Sequence, residues 1–101
     1  MTENTGQADR GIRLSGNLTW RSARESEIVC RHLPEHVRHT RVEPNCISFD
    51  VSLTDNHLFW KVKEHFQDQE SFKLHQKRTQ ESAWGVATAG ISRDYEITGL
   101  D

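Results

Sequence analysis

Six histidines make proton transfer the first chemistry to consider in this chain of 101 residues. An imidazole with an ordinary pKa of about 6.5 takes up or releases a proton near neutral pH without special tuning. His36 and His75 fall on the inward side of helical patterns. Glu64 falls on the apolar side of an alternating stretch, where a carboxylate must find a donor or shift its pKa. Two imidazoles and a carboxylate among aromatic side chains suit general acid–base work. Each also has a plainer reading. His75 is then a partly buried histidine bonded to a carbonyl or carboxylate, His36 a satisfied core histidine, and Glu64 half of a structural pair. His32-x3-His36-x2-His39 has a spacing that brings imidazoles towards one metal ion, but His36 points inward, so no metal site is expected. No glycine-rich phosphate loop and no nucleophile elbow occurs.

The elements that must position these residues are legible in the hydrophobic periods. Residues 1–10 are polar and unpatterned, and read as a disordered tail before a single domain over 11–101. Ile12, Leu14, Gly16, Leu18 and Trp20 alternate with polar residues, a strand signal in which Gly16 marks a bulge or a close approach. Ser22 to Glu25 is a capping box opening a helix over 23–41. Its inward face holds Val29, Leu33, His36 and Thr40, and Pro34 predicts a kink or a division into two pieces. Glu43-Pro44-Asn45 turns the chain, and this corner reads as a determinant of fold rather than chemistry. Ile47, Phe49, Val51 and Leu53 alternate as a second strand. A hairpin connection over 54–57 leads to a third strand with Leu58, Trp60, Val62, Glu64 and Phe66 on one side.

Asp68 caps the next helix, whose inner face carries Phe72, His75, Gln76 and Thr79, prolonged by Ala83 and Val86 if the helix continues. Gly90 ends it, and residues 91–97 form a last strand. The order β-α-β-β-α-β predicts an α+β, ferredoxin-like fold, an antiparallel four-stranded sheet with both helices on one face. The space between sheet and helices is then lined by Trp20, Phe49, Trp60, Phe66 and Phe72, with Trp84 in the core and His36, Glu64 and His75 as polar members.

Totals narrow the functional classes. Hydrophobic residues make up 34% and charged residues 28%, a lean core for one domain that invites burial by dimerisation. The net charge of −2, with both signs mixed along the chain, gives no footprint for nucleic acid or an anionic membrane. No apolar run nears the roughly 20 residues of a membrane span, and the N-terminus lacks the pattern of a signal peptide. Cys30 and Cys46 are too few for a disulfide scaffold and read as small buried hydrophobes. A cytoplasmic protein is expected.

Residues His36 to Cys46 resemble the helix end and E-P-G-C corner of the antibiotic biosynthesis monooxygenase family, with Asn45 in place of the glycine. Asn tolerates the left-handed conformation better than most residues. Residues Ile47 to Val51 resemble that family's second strand. Lys63 to His75 is similar to its E-x-[WYF]-x-D-x-x-x-F-x-x-H stretch, and the likeness runs over about 12–98. It implies a dimeric α/β barrel that oxidises a quinol-like or polycyclic aromatic substrate with dioxygen and no cofactor. His75 matches the family's histidine, and His36 and Glu64 join it as catalytic candidates. Asn17, which resembles an asparagine of haem-degrading relatives, would orient a substrate oxygen unless its side of the strand faces a dimer partner. Phe66 stands where those haem degraders have tryptophan. Two other functions stay open: a non-catalytic, ligand-binding or stress-associated dimer, and a haem-degrading enzyme.

Overall fold

The computed structural model describes residues 11–54 and 59–100. The expected tail over 1–10 lies outside them, as does the expected hairpin connection apart from Thr54, whose amide and hydroxyl both donate to the Phe59 carbonyl. Four strands, β1 (Ile12–Thr19), β2 (Cys46–Leu53), β3 (Phe59–Phe66) and β4 (Ser92–Thr98), form one antiparallel sheet in the order β2-β3-β1-β4. Helices α1 (Ala23–Arg41), α2 (Gln69–Glu81) and α3 (Ala83–Ala87) complete the ferredoxin-like order. No helix among the described residues is long and apolar enough to cross a membrane.

Helix α1 buries Val29, Leu33, His36 and Thr40, the four residues that a 3.6-residue period puts on one face. Ser22 Oγ accepts from the Glu25 amide, while the Glu25 carboxylate reaches back to the amide and guanidinium of Arg21. The helix runs through Pro34 as one element rather than two. Pro34 and Cys30 both sit on the exposed side, so water can satisfy the Cys30 carbonyl that Pro34 leaves without a donor. Cys30 is exposed and Cys46 half-buried, so only Cys46 approaches the expected role of small core residue.

The Glu43–Cys46 corner is a tight turn in which the Cys46 amide donates to the Glu43 carbonyl at 3.2 Å. Asn45 takes a left-handed φ of 67°, and Pro44 precedes it, matching a type II turn. A β-bulge follows. Cys46 pairs with Phe66 and Ser48 with His65, leaving Ile47 without a partner residue. The extra residue reverses the alternation, so Ile47 is exposed and Cys46 packs against the core, contrary to the pattern read from the sequence.

Helix α2 also departs from the simple pattern. It ends at Ser82, whose backbone is extended and whose hydroxyl donates to the Thr79 carbonyl and accepts from the Gly85 amide, capping α3. The inner stripe therefore does not continue through Ala83 and Val86. Val86 is exposed, and Trp84 turns inward.

The inner sheet face carries Ile12, Leu14, Leu18, Phe49, Val62 and Phe66, the centre of the core. Tyr95 on β4 lies opposite Gly16 on β1. A Cβ at Gly16 would sit 2.1 Å from the Asp94 carbonyl and 2.8 Å from Tyr95 Cδ1, so the glycine marks the close approach expected of it. On the outer face Phe59 pairs with Thr19, and Ser15 lies opposite Lys63 and Glu96. Gly16→Ala is expected to lower stability by about 1–3 kcal/mol or more through overpacking. Thermal unfolding followed by circular dichroism checks this, and an unchanged midpoint would count against the close Tyr95 contact.

Candidate active site

A cavity of about 420 Å³ lies between the sheet and the helices. Leu14, Phe49, Val51 and Val62 from the sheet form an apolar floor; His75, Gln76 and Thr79 of α2 face them. His36 and Trp84 close one side, and Glu64, Arg93 and Tyr95 add polar atoms from β3 and β4. An apolar cleft with a few convergent polar groups is the usual form of a small-molecule site.

His75 is the centre of that polar group and is only 2% exposed. Its Nδ1 lies 2.8 Å from Glu43 Oε1. A carboxylate accepts, so Nδ1 carries the hydrogen and Nε2 is left towards Glu64, whose Oε1 is 3.5 Å away. Burial alone would lower the His75 pKa. The close carboxylate of Glu64, and then the charge and hydrogen bond of Glu43, outweigh it and raise the pKa above the ordinary value. Phe66 stacks on the imidazole at 4.8 Å between centroids, and Phe72 packs against Phe66.

Glu64 brings an unsatisfied atom to this cavity. Its side chain is 9% exposed, and Oε1 has no hydrogen-bond donor among the described residues. The 3.5 Å approach of His75 Nε2 is an ion-pair distance without hydrogen-bond alignment. An acceptor buried in this way costs about 1–3 kcal/mol until something donates to it.

His36 is neutral at pH 7. Burial, followed by the charges of His75, Arg93 and His39, pushes its pKa down to about 4. Its ring stacks flat on Trp84 at 4.7 Å and meets Phe49 edge-on at 5.3 Å. Beyond this stack is a second, outer groove of about 440 Å³ that also touches His36 and Trp84, and is bordered by His32, His39, Glu43 and Arg78. Glu43 Oε2 lies 3.7 Å from Arg78 Nη1 there. His39 stands beside Glu35 and Arg38, and no three metal-ligating side chains converge among the described residues.

The structure thus brings together His36, Phe49, Glu64 and His75 of the residues singled out in the sequence. Phe66 and Phe72 lie in the layer beneath His75 and do not line the cavity. Trp20 and Trp60 pair with each other at 6.0 Å and also lie outside it. Asn17 is on the outer sheet face, opposite Lys61 and Asp94, away from the cavity. Sequence reasoning missed Glu43, Arg93 and Tyr95. Glu43 sits in a corner whose strong turn signal concealed a side-chain role, while Arg93 and Tyr95 depend on the β1–β4 register and on the space left by Gly16.

The family described as antibiotic biosynthesis monooxygenase matches residues 16–85, a span that includes His36, Glu43, Glu64 and His75. No curated protein matches the sequence. Among solved structures, MupZ from Pseudomonas fluorescens is 18% identical with a TM-score of 0.73, covering 88% of this chain and 67% of its own. Rv0793 from Mycobacterium tuberculosis is 14% identical with a TM-score of 0.70, covering 90% and 96%. SnoaB, a cofactor-independent oxygenase from Streptomyces nogalater, is 7% identical with a TM-score of 0.66, covering 90% and 93%. At these identities the likeness is one of fold.

The two histidines predict opposite pH dependences of stability. His36, whose folded pKa is depressed, contributes stability above its unfolded value of about 6.5 and loses it as pH falls towards 4. His75, whose folded pKa is raised, contributes fully below about 6.5 and loses that contribution as pH rises through its folded value. His36→Phe keeps a ring on Trp84 and is expected to shrink the loss of stability between pH 7 and pH 4 by on the order of 2 kcal/mol. Unfolding midpoints at the two pH values check this; equal losses in both proteins would refute it.

Proposed function

Because the chain belongs to the antibiotic biosynthesis monooxygenase family, we propose that the cavity oxidises a quinol-like or polycyclic aromatic substrate with dioxygen, without a cofactor. The observation that carries this reading is the buried, undonated Glu64 oxygen 3.5 Å from His75 Nε2. A phenolic hydroxyl is a donor of the right chemistry, and a flat ring suits the apolar floor. SnoaB supplies the precedent of cofactor-independent oxygenation on the same fold.

The substrate hydroxyl would donate to Glu64 and yield its proton to His75 Nε2. Glu43 stabilises the resulting imidazolium from the other side, as an orienting carboxylate does for a catalytic base. The phenolate ring is electron-rich enough to reduce dioxygen directly. For a simple phenol, a ring C–H bond, the phenolic O–H bond and the O–O bond break. One oxygen atom stays on the ring as a new carbonyl, the phenolic oxygen becomes the second carbonyl of a quinone, and the other oxygen atom leaves as water. Electrons come from the ring alone. The haem-degrading alternative has less support, since Asn17, the residue that suggested it, does not line the cavity, and Phe66 stands where those relatives have tryptophan. A homodimer is part of this proposal, with a solution mass twice the 11.7 kDa of one chain.

Oxygen uptake with a panel of naphthols and naphthoquinols tests the activity. The wild-type protein is expected to exceed buffer autoxidation, and His75→Ala or Glu64→Gln to reduce the enzymatic rate by about 10²–10⁴-fold. Saturable binding of the same compounds without any acceleration of oxygen uptake would favour the non-catalytic reading instead.

A further inference from the structure

We propose that Glu43 is the outer end of a proton relay, with His75 carrying protons between the cavity and the groove; this rests on the oxygenase reading above. The two ring nitrogens of His75 serve different compartments. Nε2 faces Glu64 at 3.5 Å, and His75 and Glu64 both line the cavity. Nδ1 is bonded to Glu43 at 2.8 Å, and Glu43 lines the groove instead. The Glu43–His75 hydrogen bond is therefore a polar link between the two, beside His36, Trp84 and Thr79, which line both.

Exposure rises along the link. The His75 side chain is 3% exposed, that of Glu43 13%, and that of Arg78, at the groove rim beside Glu43, 48%. The groups facing His75 are Glu43 from the corner after α1, Glu64 from β3, His36 from α1 and Thr79 from its own helix. Two carboxylates favour an imidazolium there, and His36, kept neutral by burial, does not oppose it. Arg78 Nη1 stands 3.7 Å from Glu43 Oε2 at the groove rim. Charge on the imidazole is thus tolerated in both directions of transfer.

The proton count closes with the proposed reaction. In the first half, the substrate O–H bond breaks, Nε2 takes the proton, and the Nδ1 hydrogen passes to Glu43 and on to groove water. The imidazole is left with its hydrogen on Nε2. In the second half, the peroxide formed on the substrate takes that hydrogen, and Nδ1 regains one from Glu43. The original tautomer is restored, and loss of water from the protonated peroxide adds no net proton, as the conversion of phenol and dioxygen to quinone and water requires.

Glu43→Gln tests the relay because a glutamine oxygen still accepts from Nδ1–H but cannot carry a proton. The expected result is a fall in kcat for oxygen uptake of at least about 10-fold with KM little changed. Glu43→Ala is expected to lose activity likewise and to regain part of it with added formate, which can enter the groove and replace the carboxylate. The nitrogen NMR shifts of His75 report whether the ring keeps its Nδ1–H tautomer in the glutamine variant. Wild-type kcat in Glu43→Gln, or no formate rescue of a folded Glu43→Ala, would overturn the relay. If no substrate is oxidised by the wild-type protein, the oxygenase reading fails alone. The relay is then judged by exchange of the His75 Nδ1 hydrogen with solvent, expected to be at least about 10-fold slower in Glu43→Gln. Equal exchange rates would overturn it.

Discussion

The polar arrangement depends on one imidazole buried between two carboxylates. A charge taken out of water is unfavourable unless it is paired, and removing one partner of a buried pair typically costs 3–5 kcal/mol. His75, Glu43 and Glu64 therefore constrain one another across three elements: α2, the corner after α1, and β3. The corner must deliver Glu43 to within hydrogen-bonding distance of α2, and the left-handed Asn45 turn does so. Asn45 is itself tied to α2 by a 2.8 Å bond from Nδ2 to Ser71 Oγ. Phe66 stacks on one face of the imidazole, and the Thr79 hydroxyl lies near its ring nitrogens.

What the sequence made legible follows from periodicity. His36 and His75 share helical faces with Val29, Leu33 and Phe72, and Glu64 shares a strand face with Val62 and Phe66, so their inward placement was readable. Glu43 was not, because a turn residue has no period to reveal its direction. Ile47 was misread because one unpaired residue in β2 reverses the alternation before Phe49. Val86 was misread because Ser82 ends one helix and starts another, exchanging the inward position for Trp84. Trp20 and Trp60 sit on the correct sheet face but at the end away from His75. Alternation gives a face, and distance along the strand must come from register.

Space is set as much by small residues as by large ones. Gly16 leaves room for the Tyr95 backbone and ring beside β1. Gly85 serves α3 similarly, since a Cβ there would lie 1.9 Å from the Thr79 carbonyl. That close approach is what lets α3 fold back over α2 and bring Trp84 onto His36. Neither glycine contributes a functional atom, yet the cavity walls formed by Tyr95 and Trp84 depend on them.

The energetics favour a functional reason for the cluster. A buried ion pair is weak evidence for stability, because apolar groups of similar volume often do as well or better. In a chain whose core is already lean, an oxygen without a donor at Glu64 adds a further cost of about 1–3 kcal/mol. A purely structural role would be met by His75 and Glu43 alone, whose hydrogen bond is short and aligned. Glu64 adds a second carboxylate enclosed beside His75, 3.5 Å from Nε2, whose Oε1 becomes favourable only when a donor reaches it. The least satisfied oxygen in the site is therefore the strongest physical argument that the site binds something with a hydroxyl group.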